Sequence, residues 1–406
     1  MTRRLGFAVA AAAAIVIIAA LSLYALTAER PGPAPGASPT TTATLAAAAS
    51  PSPSSPSPTT SAPASPSPTA AAATDRYGYV VVTGGEGEER IFVRRERDFS
   101  VVFELRGVAP AVSADGKRLA YWRTTPGVGA TDLRVLEVAV PASDRSVLTL
   151  TGQTLGGGLV WSNDGQGLLL ATYSRERTVG PGPESCPGQS FLLMLDLATT
   201  PAMTRSAGSG GCALLPVAWD RPGQAAAAVI TGPGGYATEY LTWNGNAASP
   251  ISRAPVPRLV IADSVQASSD AKLVMGLEDN RNVLRVWPLL DITKADHVRH
   301  PSLIRSAVWR SGPTPPYEVF WAVGQKVDLF RYQTDSSTTL HTTTDNVAIA
   351  AARPDGSGVL LTLSNVQQPP PLATRLVLVD VATRQATDTG TTLGGVHSLS
   401  RGVLLR

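Results

Sequence analysis

The stretch APAVSADGKRLAYWR, Ala109 to Arg123, decides the fold. An apolar strand leads into a polar turn at Asp115-Gly116, and a second apolar strand follows. Asp-Gly is among the strongest hairpin signals, because glycine tolerates positive φ. The same cadence returns in GGLVWSNDGQGLLLATY at Gly157–Tyr173, LPVAWDRPGQAAAAVIT at Leu215–Thr231 and DSVQASSDAKLVMGLE at Asp263–Glu278. It returns again in RSAVWRSGPTPPYEVFWAV at Arg305–Val323 and VAIAAARPDGSGVLLTLS at Val347–Ser364. The turn glycines or their counterparts are Gly116, Gly165, Gly223, Ala271, Gly312 and Gly356, spaced by 49, 58, 48, 41 and 44 residues.

Each unit runs on into one or two more strands. Examples are Asp132–Val140, Ser190–Ala198, Tyr240–Trp243, Asn282–Leu289, Lys326–Gln333 and Arg375–Ala382. Short Val/Leu/Ile/Tyr/Trp runs separated by Gly, Asp, Asn and Pro, with no long 3.6-residue period, give an all-β pattern. A period of 40–50 residues with about four strands is the signature of a β-propeller blade. Two strands before the first unit, Tyr77–Thr83 and Arg90–Arg95, and two expected within Gly394–Arg406, with Gly402 at their turn, complete a composite closing blade. Such closure removes open sheet edges. The expected fold is therefore a β-propeller of seven four-stranded blades. The 58-residue spacing leaves six and eight open, and a β-sandwich is the rival that does not explain the period.

These turns resemble the WD40-like (PD40) repeats of TolB-type propellers. Pro354-Asp355-Gly356 keeps the Pro-Asp-Gly core, Asp115-Gly116 and Asp164-Gly165 keep Asp-Gly, and the third to fifth units have lost it. The resemblance implies a propeller and spans binding modules, scaffolds and peptidase caps alike. The Ala/Pro-rich bias further resembles a surface protein of a high-GC Gram-positive bacterium.

The N-terminal part reads differently. Arg3 and Arg4 precede an uncharged run, Leu5–Ala28, of 24 residues. About 20 apolar residues span a bilayer, and the basic flank stays inside. Residues 1–30 are read as a cytoplasmic stub and signal-anchor helix. A cleaved secretory signal and a buried soluble helix are the alternatives. Residues 31–74, rich in Pro, Ser, Thr and Ala, read as a disordered stalk that cannot bury enough surface to order itself. Ser/Thr/Pro density there permits O-glycosylation. Residues 75–406 are the expected extracytoplasmic propeller. The localisation that follows is the cell membrane, single-pass with the C-terminal domain outside, or secreted if the signal is cleaved. In an exported chain Cys186 and Cys212 are expected to pair as a disulfide, with two buried thiols as the alternative.

The formal net charge is +3, with 34 Lys+Arg against 31 Asp+Glu, which argues against a nucleic-acid partner. No nucleophile elbow, zinc-protease helix, phosphate loop or EF-hand is present. His297 and His300, with Asp291 and Asp296 nearby, form the strongest metal-like spacing, and a solvent-exposed loop explains them better. His341 and His397 stand apart. Glu88 and Glu89 read as a hairpin tip, and Val93–Asp98 as a polar outer strand. Trp161, Trp219 and Trp309 share one slot before the turn and read as packing between blades. No catalytic, cofactor-binding or metal-ligating residue is assigned, and no cofactor is expected. The expected function is a non-enzymatic, monomeric cell-surface scaffold recognising a protein, peptide or cell-envelope glycan. Its loop-rich face would include Thr124–Thr131, Thr178–Gln189 and Gln367–Ala373. The alternative is a glycan-acting hydrolase or lyase with residues converging at the channel.

Overall fold

The computed structural model describes residues 78–83, 89–125, 130–151, 154–174, 190–198, 208–209, 213–232, 235–244, 251–311, 317–364, 374–393 and 399–404. They form seven antiparallel sheets of four strands each. Blade 1 joins Leu399–Leu404 to Tyr79–Thr83, Arg90–Arg95 and Val101–Arg106. Blade 2 holds Val108–Val112, Arg118–Thr125, Ala130–Glu137 and Val140–Leu150. Blade 3 holds Thr154–Trp161, Gly167–Ser174, Ser190–Asp196 and Gly208–Ser209. Blade 4 is Leu214–Asp220, Ala225–Thr231, Tyr236–Asn244 and Ser252–Ile261. Blade 5 is Gln266–Ala267, Leu273–Leu277, Val283–Pro288 and Asp296–Arg299. Blade 6 is Ile304–Trp309, Glu318–Val323, Lys326–Arg331 and Ser336–Thr342. Blade 7 is Asn346–Ala352, Gly358–Ser364, Thr374–Asp380 and Ala386–Leu393.

The first strand of each blade touches the first strand of the next, and Leu399–Leu404 touches both Asn346–Ala352 and Val108–Val112. Seven inner strands therefore enclose a channel. The apolar core lies between blades rather than at the axis. One cluster joins Val217, Ala227 and Tyr240 of blade 4 to Val265, Val274 and Trp287 around blade 5. Within it Tyr240 meets Trp287 edge to face at 5.7 Å, and its hydroxyl donates to the Leu289 carbonyl at 2.8 Å. That burial raises the Tyr240 pKa. Each blade is thus half of two cores, and no blade has a complete core of its own.

The closing blade departs from the expected two-plus-two division. One C-terminal strand pairs onto three N-terminal ones, with Tyr79 opposite Leu404 and Val80 opposite Val403. The extra strand, Val101–Arg106, opens on two exposed valines and only half-buries Phe103 and Leu105 against the core shared with blade 2, so its alternating face is weakly marked. Gly402, read as a turn glycine, lies inside the strand Leu399–Leu404.

Two further expectations are corrected. Among the described residues there is no disulfide bond, and no helix is long and apolar enough to cross a membrane. Their helices are three-residue 3-10 turns, far short of the roughly 20 residues a span needs. The run 5–28, the segment 31–74, Cys186 and Cys212 lie outside the described residues.

Candidate functional site

The turns after the inner strands share a local design. In blades 2, 3 and 5 a serine hydroxyl donates to the aspartate two residues on: Ser113 to Asp115, Ser162 to Asp164 and Ser268 to Asp270. The same serine oxygen accepts the backbone N–H five residues on, at Arg118, Gly167 and Leu273. The aspartate accepts the N–H of Lys117, Gln166 or Lys272. Three short bonds thus fix each turn from within. Blade 5 keeps this arrangement although Ala271 stands where glycine is expected, and Ala271 takes φ +56°. The Asp-Gly pattern is lost there, but the turn is not. In blade 7 Gly356, at φ +70°, abuts blade 6: a Cβ would sit 1.9 Å from the Ser311 carbonyl.

Where the serine slot holds a longer residue, the side chain reaches the neighbouring blade instead. Asp220 of blade 4 accepts from Asn163 at 2.8 Å and from Lys272 at 2.6 Å. Arg310 of blade 6 donates to the Gly356 carbonyl at 2.8 Å and pairs with Glu318. Arg353 of blade 7 reaches Glu96 of blade 1 at 2.6 and 2.8 Å. Arg221 spans Asp164 and Asp196 of blade 3 at 2.9 and 2.7 Å. The Tyr317 hydroxyl donates to Asp270 at 2.9 Å. Arg118 lies over the Trp161 ring at 5.0 Å. Polar or cation–π links therefore join blades 2 through 7, and blade 7 to blade 1, around the rim where these turns lie.

The ionisation of the rim follows from this bonding. Burial disfavours the Asp220 carboxylate, but Lys272, Asn163 and the Gly223 N–H outweigh it and hold the group below the usual range. Asp164 and Asp196 behave alike: burial opposes the charge, and hydrogen bonds that include Arg221 win. Burial, reinforced by Asp270, pushes the Tyr317 phenol up to about 12.

Inside the rim the channel is a cavity of about 690 Å³, within the usual range for ligand sites. Its wall is mostly apolar, with Val108, Pro110, Ala111, Leu159 and Val308 beside the edges of Trp161, Trp219 and Trp309. Ser162, Asn163, Ser268 and Ser311 supply hydroxyls and an amide near the turn rim. Asp263 is the one ionisable side chain among the described lining residues. Register shifts interrupt the inner strands of blades 2, 3, 4, 6 and 7 at Val108/Ala111, Gly156/Leu159, Pro216/Ala218, Ile304/Ser306 and Ile349/Ala351. Such bulges bend a strand and re-aim its side chains. They let one strand serve both the channel and the interblade core.

Glycine and tryptophan pack the blades together behind the wall. The Trp122 indole donates to the Gly157 carbonyl at 2.8 Å. Its ring lies so close to Gly156 that a Cβ there would stand 2.2 Å away. Trp161 donates to the Ala111 carbonyl at 2.9 Å and Trp309 to the Gln266 carbonyl at 3.1 Å, each on the preceding blade. Trp161, Trp219 and Trp309 are core residues, as their shared slot implies, and all seven tryptophans are buried.

The other singled-out residues do not converge. His297 is exposed, and His300 accepts from the Ser302 N–H through Nδ1. Asp291 caps a 3-10 turn through the Thr293 N–H, and Asp296 accepts from the Tyr332 hydroxyl. His341 lies across the strands from Val327, and burial lowers its pKa. Among the described residues no group of three or more His, Cys, Asp or Glu could hold a metal ion. His397, Glu88, the loops 178–189 and 367–373, and part of 124–131 lie outside the described residues. The stretch Val93–Asp98 is not simply a polar outer strand, because it contains Glu96, which is fully buried. Six-residue polarity hid that residue; its partner Arg353 stands far away in sequence.

Comparison with known proteins yields no matching family model and no matching curated protein. Solved structures do match. An oligogalacturonate lyase in complex with manganese aligns with TM-score 0.51 and 12% identity, over 73% of this chain and 84% of that one. TolB from Acinetobacter baumannii aligns with TM-score 0.41 and 13% identity, over 80% and 67%. AztD from Citrobacter koseri aligns with TM-score 0.48 and 10% identity, over 80% and 98%. At such identities the likeness is one of fold, not of activity. By sheet order, ring closure and this likeness, the chain is a seven-bladed β-propeller.

Proposed function

We propose that the propeller is a non-enzymatic binding scaffold that recognises a protein or peptide at a mouth of its channel. The carrying observation is the wall itself: mostly apolar, of ligand-sized volume, with Asp263 the one ionisable side chain among its described residues. Acid–base or metal-assisted chemistry needs titratable groups converging on one point. The rim carboxylates are instead engaged by Arg221, Lys272 and Asn163. Trp161, Trp219 and Trp309 border the cavity but are at most 7% exposed, so none presents the open ring face that sugar stacking needs, which favours a peptide over a glycan. The glycan-acting reading has no such observation behind it, and the lyase likeness carries fold alone.

Two exposed lining residues mark the two mouths. Val108 begins the inner strand of blade 2, and Ala114 lies in the turn after it. A random peptide library selected on the full chain tests the reading, with Val108→Glu and Ala114→Arg as competitors. Selected peptides should lose about tenfold in affinity for one variant, roughly 1.4 kcal/mol. Equal affinity for the wild type and both variants would refute a channel site. Release of soluble sugar from a cell-wall fraction would move the assignment to the glycan-acting alternative.

A further inference from the structure

The face opposite the turn rim carries a second surface. Along each blade the second strand returns to this face. The Asp279–Asn282 turn of blade 5, the end of Ser252–Ile261 and the connector 300–303 therefore all lie there. Hydrogen bonds hold the three together. The Asp279 N–H donates to the Leu259 carbonyl at 2.8 Å, and the Ile304 N–H donates to the Arg281 carbonyl at 2.6 Å. Arg281 Nη1 donates to the Arg305 carbonyl at 3.2 Å. Leu259 and Leu303, on either side of this turn, are 56% and 62% exposed, the two highest values for large aliphatic residues among those described.

Charge accompanies them. Arg281 and Arg305 are exposed, and neither makes an ion pair among the described residues. The nearby Asp279 carboxylate is engaged by the Tyr236 hydroxyl at 2.7 Å. Exposed leucine costs solvation that a partner would recover. Unpaired guanidinium offers bidentate bonding to carboxylate.

We propose that Leu259, Leu303, Arg281 and Arg305 form a docking surface for an acidic protein segment with aliphatic anchors. Its leucines would cover Leu259 and Leu303, and its carboxylates would meet the two guanidinium groups. The proposal rests on the binding-scaffold reading but not on the channel. A membrane is the weaker occupant, since anionic lipid recognition draws on clusters of 4–8 basic residues.

Arg281 makes the test clean. It takes φ +52°, a left-handed conformation that glycine adopts without the Cβ penalty. Seven described non-glycine residues share positive φ, so the conformation alone marks nothing. Arg281→Gly therefore removes the charge without straining the turn. The probe is a fluorescein-labelled dodecapeptide of alternating Glu and Leu, with Lys/Leu and Glu/Ser versions as controls, read by anisotropy on the full chain. The Glu/Leu peptide should bind at least about tenfold more tightly than either control. Arg281→Gly and Leu303→Ser should each weaken it about fivefold or more, with thermal midpoints equal to or above that of the wild type for Arg281→Gly. Binding no tighter than the Lys/Leu control overturns the proposal, as does binding unchanged in both variants. Leu303-dependent binding to phosphatidylserine vesicles, without peptide binding, reassigns the surface to a membrane and overturns it too. Ala114→Arg, in the turn rim on the opposite face, should leave this binding unchanged, so failure at the channel and failure at this surface are told apart.

Discussion

Removing Arg353 should destabilise the ring more than any other single rim substitution. Arg353 is 6% exposed and Glu96 is fully buried. Arg353 Nε and Nη2 both donate to the Glu96 carboxylate, at 2.6 to 3.1 Å. The same carboxylate accepts the Gly78 N–H at 3.0 Å, and the Glu96 N–H returns to the Gly78 carbonyl at 3.0 Å. The pair therefore ties blade 7 to the start of the first N-terminal strand of blade 1. Burial disfavours the charged guanidinium, but Glu96 outweighs it and raises the Arg353 pKa. Arg353→Leu leaves a buried carboxylate with a single N–H donor. Breaking a buried pair in this way costs about 3–5 kcal/mol. Glu96→Leu should cost less, about 2 kcal/mol, because Asp355 and Asp380 still favour the charge on Arg353. The double variant replaces two charges by apolar side chains and should recover much of the loss. Urea unfolding of the full chain in a double-mutant cycle reads the coupling. The expected coupling energy is about 2–3 kcal/mol. Single variants within about 0.5 kcal/mol of wild type, or a double variant equal to the sum of the singles, would refute the reasoning.

Gly156→Ala drives a methyl group into Trp122 and should cost about 1–3 kcal/mol in urea, with a shift of tryptophan emission as Trp122 moves. Trp161→Phe keeps an aromatic ring, though a smaller one, and leaves the Ala111 carbonyl without its indole donor. It should cost about 1–2 kcal/mol, and a Phe variant as stable as wild type would discount that bond. Ala271→Gly relieves a left-handed alanine and should stabilise by a few tenths to about 1 kcal/mol, read as a raised urea midpoint. Asp164, Asp196 and Asp220 have folded pKa values below the unfolded 3.8, so their contribution is present above that value and lost as pH falls through the folded ones. The urea midpoint should hold from about pH 8 to pH 5 and drop below about pH 4, with a smaller drop in Asp220→Asn; equal acid sensitivity in wild type and variant would exclude Asp220 as a source.

Much of the fold was legible because its signals are local. Ser-x-Asp closes its own turn through bonds spanning two to five residues, so it survives as a motif even at Ala271. Repetition then counts the blades. The closing blade was divided wrongly because Val101–Arg106 opens on two exposed valines and only half-buries Phe103 and Leu105, and because a glycine inside a strand, Gly402, resembles one at a turn. The channel left no mark of its own. Val108, Ala111 and Leu159 are ordinary strand residues, and bulges decide which of their neighbours face the cavity. Glu96 and Arg353 were out of reach for another reason: their pairing depends on ring closure, which no window of sequence contains. Leu259 and Leu303 read as single leucines in connectors until hydrogen bonds to one turn bring them to one surface.

The pairing of Tyr79 with Leu404 has a consequence for how the molecule is made. On the ribosome, blades 2 to 7 can emerge and stack in order, each adding its half of a shared core to the one before. The three N-terminal strands of blade 1 leave first and must wait, their inner edge bare, until Leu399–Leu404 arrives. Joining these strands is the pairing of longest sequence separation among the described residues, and such contacts are made late and slowly. The arc that exists until then presents unpaired backbone on one side and half a core on the other. The ring's last strand to be synthesised thus converts an aggregation-prone arc into a closed ring, and a nascent chain stalled before residue 399 should depend on chaperones in a way the closed ring does not.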